Sequence, residues 1–323
     1  MPNKEPILKD NKDRFVIFPV KHNDIWDCFK QMQAAFWTAE EIDLNKDVQD
    51  WNNKLSAREK DYLKQLLTTL AASQVLNGNP AATLMTEVKD PGARSFFSFQ
   101  QMMENTHWEI FSLLLHTYVP EEFENEELPE KDAFQNNTLK NISWSSGFES
   151  ASFAERLVAM AALKGIFFSG AFCAITRMKN RNLLPGLSFA GGLIARDLEL
   201  HRNFAVHLHN NHLVDRVSKA RIREIILQAL AIENEFNTNS LPISQAGLNP
   251  RATGQYLEFV TDNLLEAFGC EKEFGSENPF AFMEVTARPS AGILERRAGE
   301  LKKARTTENN QELINKIKNN ASQ

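Results

Sequence analysis

Glu104 and His107 stand three residues apart in the run Glu104-Asn105-Thr106-His107, and Phe111 follows one turn later. On a helix this spacing projects a carboxylate and an imidazole from one face. Two such pairs on facing helices, completed by carboxylates from two further helices, can hold two metal ions in a bundle core. The second candidate pair in this chain is Leu198-Glu199-Leu200-His201. Its histidine has the right spacing, but leucine stands where the carboxylate belongs. The pattern therefore points to a di-metal centre while lacking part of its donor set.

Such a centre needs helices to carry it, and the apolar periodicity supplies them. Ile25, Trp26, Phe29, Met32, Phe36 and Trp37 recur at three- and four-residue intervals. Thr38 precedes two glutamates as a candidate N-cap, and Ser56-Ala57-Arg58-Glu59 is a capping box for a helix running past Gln74. Asp90-Pro91-Gly92 reads as a turn before a helix spanning about 93–118. A long apolar helix is expected over 152–178, then helices over about 189–213, 218–240 and 250–268. No stretch alternates convincingly as a strand. The expected fold is all-α, with a mobile tail over 1–12, one helical domain over 13–285 and a charged tail over 286–323.

Composition narrows the function classes. A formal net charge of -6, with no basic block, argues against a nucleic-acid partner. Cys28, Cys173 and Cys270 are an odd and scattered set, fitting reduced thiols in a cytoplasmic protein. Lys164 and several small residues interrupt the apolar run 157–175, so it reads as a buried helix and no membrane span is expected. His207, His209 and His212 read as surface or loop histidines rather than a metal site.

Longer runs carry a resemblance. Phe36-Trp37-Thr38-Ala39-Glu40-Glu41-Ile42-Asp43-Leu44, Met103-Glu104-Asn105 with His107, and Gly165-Ile166-Phe167-Phe168-Ser169-Gly170 are three of them. Leu184-Pro185-Gly186-Leu187, Arg196-Asp197 with His201, and Glu277-Asn278-Pro279-Phe280 extend the match in order. Over roughly residues 13–285 the chain closely resembles the small subunit of eukaryotic-type class I ribonucleotide reductase, a ferritin-like bundle. That resemblance implies a di-iron site, a tyrosyl radical, and a relay towards a large catalytic subunit in deoxyribonucleotide biosynthesis. The implied ligand positions are Gln74, Glu104, His107, Lys164, Leu198 and His201, and the implied radical position is Phe111. Trp37, Asp197 and His107 match the inner relay. No tyrosine follows Tyr256 to match the C-terminal relay position.

Replacing three carboxylates by Gln74, Lys164 and Leu198 changes the nominal charge of the implied centre by four. One charge–charge term at ~5 Å, with an effective dielectric of ~20, is worth about 3 kcal/mol. Several such terms oppose metal here. The expectation is a centre without cofactor, in which Lys164 pairs with Glu104 as a buried ion pair. Phe111 carries no oxidisable hydroxyl, so no catalytic residue is expected. Phe168 and Phe172 match an apolar radical pocket and are expected simply as core. The resulting reading is an auxiliary partner, dimerising with an active small subunit or with itself and possibly meeting the large subunit. The alternative is a metal-free radical-generating small subunit. A ferritin-like oxidase would need the missing carboxylates.

Overall fold

In the computed structural model, the described residues are 5–10, 15–76, 80–120, 140 and 143–284, with the side chains of 74–76 and 284 outside that set. The expected tail over 286–323 therefore lies outside the described residues. The main helices are α1 (Asn23–Ala34), α2 (Asn45–Lys54), α3 (Ala57–Leu76), α4 (Pro80–Glu87) and α5 (Pro91–Tyr118). They continue as α6 (Phe153–Gly165), α7 (Ser169–Asn180), α8 (Pro185–His212), α9 (Lys219–Glu235) and α10 (Pro250–Ala267), with a short α11 (Ala281–Glu284). No strand occurs among the described residues. The architecture is all-α. α3 packs along α5 and α6 along α8, so the two longest helices, α5 and α8, share one core.

Local chemistry sets the helix starts. The Ser56 hydroxyl accepts from the Glu59 N–H while the Glu59 carboxylate accepts from the Ser56 N–H, closing the capping box of α3. Asp90 is the N-cap of α5: its carboxylate accepts from the Ala93 N–H, and Pro91 occupies the first turn. The expected separate turn at 90–92 is thus the beginning of the helix itself. Thr38 and Glu41 form a capping box, but only the 3-10 turn Ala39–Glu41 follows it.

The single helix expected over 152–178 is two. α6 ends at Gly165, and Phe168 takes φ 67° before α7 begins. Glu233 of α9 explains the break. Its carboxylate accepts from the N–H groups of Phe168 (3.0 Å) and Gly170 (3.2 Å), backbone donors that a continuous helix would use internally. Gly170 is required there, because a Cβ would lie 2.0 Å from Asn237 Oδ1. The apolar character of this stretch serves the core: 83% of its most apolar window, within 153–180, is buried.

A second surprise lies at the N-terminus. Residues 5–10, expected within a mobile tail, are docked. Ile7 is 2% exposed, its carbonyl accepts from the Lys89 N–H at 2.7 Å, and Glu5 accepts from the N–H groups of Val214 and Asp215. The start of α8 is also held from a distance. Asp47 of α2 accepts from Gly186 N, Leu187 N and the Tyr118 hydroxyl, each at 2.8 Å, and Asp50 accepts from Leu184 N. Two buried carboxylates thereby fix the N-terminus of the helix that carries Asp197, Leu198 and His201, and they complement its dipole.

Candidate functional site: a polar centre between four helices

Glu104 and His107 project from α5, Lys164 from the last turn of α6, and Leu198 and His201 from α8. Gln74 belongs to α3, and its side chain is outside the described residues. Lys164 Nζ sits 2.9 Å from Glu104 Oε1, with both side chains mostly buried. Gln100, one turn before Glu104, donates its amide to the same oxygen at 2.9 Å. His201 Nδ1 lies 3.9 Å from that oxygen, beyond hydrogen-bond range. Neither nitrogen of His201 has a hydrogen-bond partner among the described residues, and burial, followed by the nearby Lys164 charge, holds this imidazole neutral by pushing its pKa well down. Lys164, Leu198, Phe111, Glu104 and His107 line a small cavity of about 40 Å³, enough for one or two waters.

A better-connected network lies beside it. Asp197 accepts from Trp37 Nε1 at 2.7 Å and from Arg196 Nη2 at 2.8 Å. His107 Nε2 is 3.1 Å from Asp197 Oδ2, and its ring stacks on Trp37 with centroids 6.0 Å apart. Arg196 also reaches the Ala35 carbonyl. Burial pushes the Asp197 carboxyl up, but His107 and Arg196 together outweigh it and leave the pKa below the ordinary carboxylate value. His107 Nδ1 has no partner among the described residues. This imidazole therefore links the two regions, with one ring nitrogen in the network.

Phe111 is buried on the same wall of α5, and Phe168, at the α6–α7 break, and Phe172, beyond it, join it around the cavity. Tyr118 is two turns further on and hydrogen-bonds Asp47. Two participants escaped the sequence reading. Gln100 was legible as an i,i+4 partner of Glu104. Arg196 was visible only as a neighbour of Asp197; its reach to Ala35 depends on the packing of α1 against α8. His209, expected near the surface, is buried, and its Nε2 accepts from the Val217 N–H.

An all-α bundle with a Glu–His pair on α5 and a histidine on α8 has the ferritin-like helical architecture. The family description "Ribonucleotide reductase, small chain" matches residues 14–279. The ribonucleoside-diphosphate reductase small chain of Neurospora crassa is 45% identical over 312 residues, covering 93% of this chain and 74% of that protein. Human ribonucleoside-diphosphate reductase subunit M2 is 43% identical over 301 residues, covering 92% and 77%. The solved Rnr4 homodimer of Saccharomyces cerevisiae superimposes with a TM-score of 0.80 at 32% identity, covering 91% of this chain and 93% of that one. The chain belongs to the ribonucleotide reductase small-chain family.

Proposed function

We propose that this chain is an auxiliary small subunit of ribonucleoside-diphosphate reductase that assembles no di-iron centre and makes no tyrosyl radical. The observation that carries this reading is the Lys164 ammonium 2.9 Å from Glu104, within the space the family uses for metal. The donor set does not fit two divalent ions. One carboxylate and two imidazoles remain at the described positions, Leu198 offers no donor, and the ammonium already neutralises the one anion. Phe111 at the implied radical position has no phenolic proton to lose.

The role left to such a chain is association. The outward arc of α5 presents Met102 (38% exposed), Trp108 (47%) and Leu113 (37%), large apolar side chains that a second small subunit would cover. The solved Rnr4 relative is a homodimer, which supports dimerisation as the role of such a chain. The partner is an active small subunit or a second copy, and the dimer then meets the large catalytic subunit. Trp37, Asp197 and His107 act here as a buried network joining the segment after α1 to α5 and α8. A cytoplasmic setting agrees with the three free thiols.

The test combines metal analysis with reconstitution. Purified chain treated with ferrous iron and oxygen should retain no pair of iron or manganese ions and give no radical signal by electron paramagnetic resonance. Added to an active small subunit and the large subunit, it should change reductase activity and co-elute with the small subunit. Two bound ions per chain, or a radical signal in the chain isolated from its native host, would overturn the reading. The second of these results would instead favour metal-free radical generation.

A further inference from the structure

About the far end of α8, away from the polar centre, three side chains converge that the reductase reading does not use. Asp24, in the first turn of α1, places Oδ2 2.8 Å from His207 Nε2 and 2.6 Å from His212 Nε2. The three ligand-type atoms all lie within 4.8 Å of one another. His207 and His212 are separated by five residues in the last turns of α8, and their ring centroids are 5.4 Å apart. The site therefore bridges two helices that are distant in sequence.

The geometry points to a mononuclear divalent-cation site of the zinc class, formed by Asp24, His207 and His212 and pinning the start of α1 to the end of α8. Two imidazole nitrogens and one carboxylate oxygen are the ligand types that borderline cations take. At metal–ligand distances of ~2.0–2.1 Å, tetrahedral geometry needs donor separations of about 3.3 Å. The two Asp24–imidazole contacts, at 2.8 and 2.6 Å, need only open slightly to reach it. Three protein ligands leave a fourth position for water, which the partly exposed setting supplies.

The surroundings fit this use. His207 Nδ1 lies 2.9 Å from the Asn211 side-chain amide, and rotating that amide puts its oxygen opposite an Nδ1–H. The ring is then fixed as the tautomer that offers Nε2 to a cation, the arrangement common to metal-bound histidines. His22 lies edge-on to His212 with centroids 5.1 Å apart, while its own Nδ1 bonds Asp90 Oδ2 at 2.9 Å. His22 thus braces the His212 ring and is not a ligand. Asp24 supplies the single carboxylate oxygen of the set, reached by both imidazoles. Nothing at this site shares a ligand with Glu104, His107 or His201, so the inference is independent of what the polar centre binds.

The probe is zinc chloride added to untagged, full-length chain, followed by isothermal titration and thermal melting. One equivalent should bind, and zinc should raise Tm by a few degrees. Asp24→Asn, His207→Gln and His212→Gln should each weaken binding at least about ten-fold and abolish the Tm rise. Glu104→Gln should leave both unchanged. Cobalt(II) in place of zinc should give visible absorption of a low-coordinate nitrogen–oxygen site, lost in His212→Gln. Absence of zinc uptake, an unaltered isotherm in folded Asp24→Asn and His212→Gln variants, or loss of binding in Glu104→Gln would overturn the assignment.

Discussion

Asp197 and Glu104 are carboxylates on the two longest helices, facing one core, and they are furnished very differently. Asp197 has a donor for each oxygen: Trp37 and His107 on one, Arg196 on the other. Glu104 receives Gln100 and Lys164 on a single oxygen, while the adjacent His201 has no partner among the described residues. In the first region both carboxylate oxygens are satisfied, and the polar groups that reach them offset one another's desolvation. The second sets an ammonium against its one carboxylate and leaves a neighbouring imidazole without a partner among the described residues. The contrast teaches that the contribution of a carboxylate on a core-facing helix depends on whether each polar atom around it has a counterpart.

The strongest way to break this comparison is at Lys164. Lys164→Met removes the cation and strands the Glu104 charge, so urea unfolding should show a loss of roughly 3–5 kcal/mol. Adding Glu104→Gln should return most of it. If Lys164→Met proves harmless, the ion pair is not what organises the centre.

At Asp197, Asp197→Asn leaves Arg196 without its anion and gives His107 or Trp37 the wrong partner, at a cost of about 3 kcal/mol by the same assay. The wild-type pH dependence has a definite sign here. The folded pKa lies below the ordinary aspartate value of 3.8, so this contribution is present above 3.8 and fades as pH falls through the folded value. Asp197→Asn should flatten that acid limb of the stability curve.

Glu233 sharpens the contrast from the other direction. Its carboxylate accepts from Phe168 N, Gly170 N and Asn237 Nδ2, yet full burial dominates and raises its pKa from 4.5 to about 7. A raised carboxyl pKa stabilises the fold below 4.5 and loses that contribution as pH climbs towards 7, by up to about 3 kcal/mol. Stability measured between pH 5 and 7 should therefore fall, and Glu233→Gln should reduce the slope.

The smallest effect is expected at His201. Its buried ring nitrogens have no partners among the described residues, so His201→Leu should be close to neutral, within about 1 kcal/mol. His107→Leu, which removes one partner of Asp197, should cost about 1–3 kcal/mol. Equal losses at the two histidines would erase the distinction between the regions.

The helices of the centre were legible because three- and four-residue apolar spacing and local caps act over a few residues. Ser56 with Glu59 marks the start of α3, and Glu104 with His107 declares its own common face. The sequence also named the residues that fill the implied ligand positions, including Lys164 and Leu198. It did not reveal the break at Phe168, because the carboxylate that takes those N–H groups comes from Glu233, more than sixty residues later.

The same limit applies elsewhere. Residues 5–10 look like a polar tail until Ile7 finds the core and Glu5 finds the backbone beyond α8. Asp24 looks like an ordinary first-turn acid until folding brings it to His207 and His212. The chain by itself determined the all-α class, most of the helices, the family, and which residue types stand at the implied ligand positions, since these follow from residue types at short range. Tertiary structure decided which distant polar atoms meet. Hydrogen bonds and ion pairs act over a few ångströms, and only packing sets those distances between residues far apart in the chain.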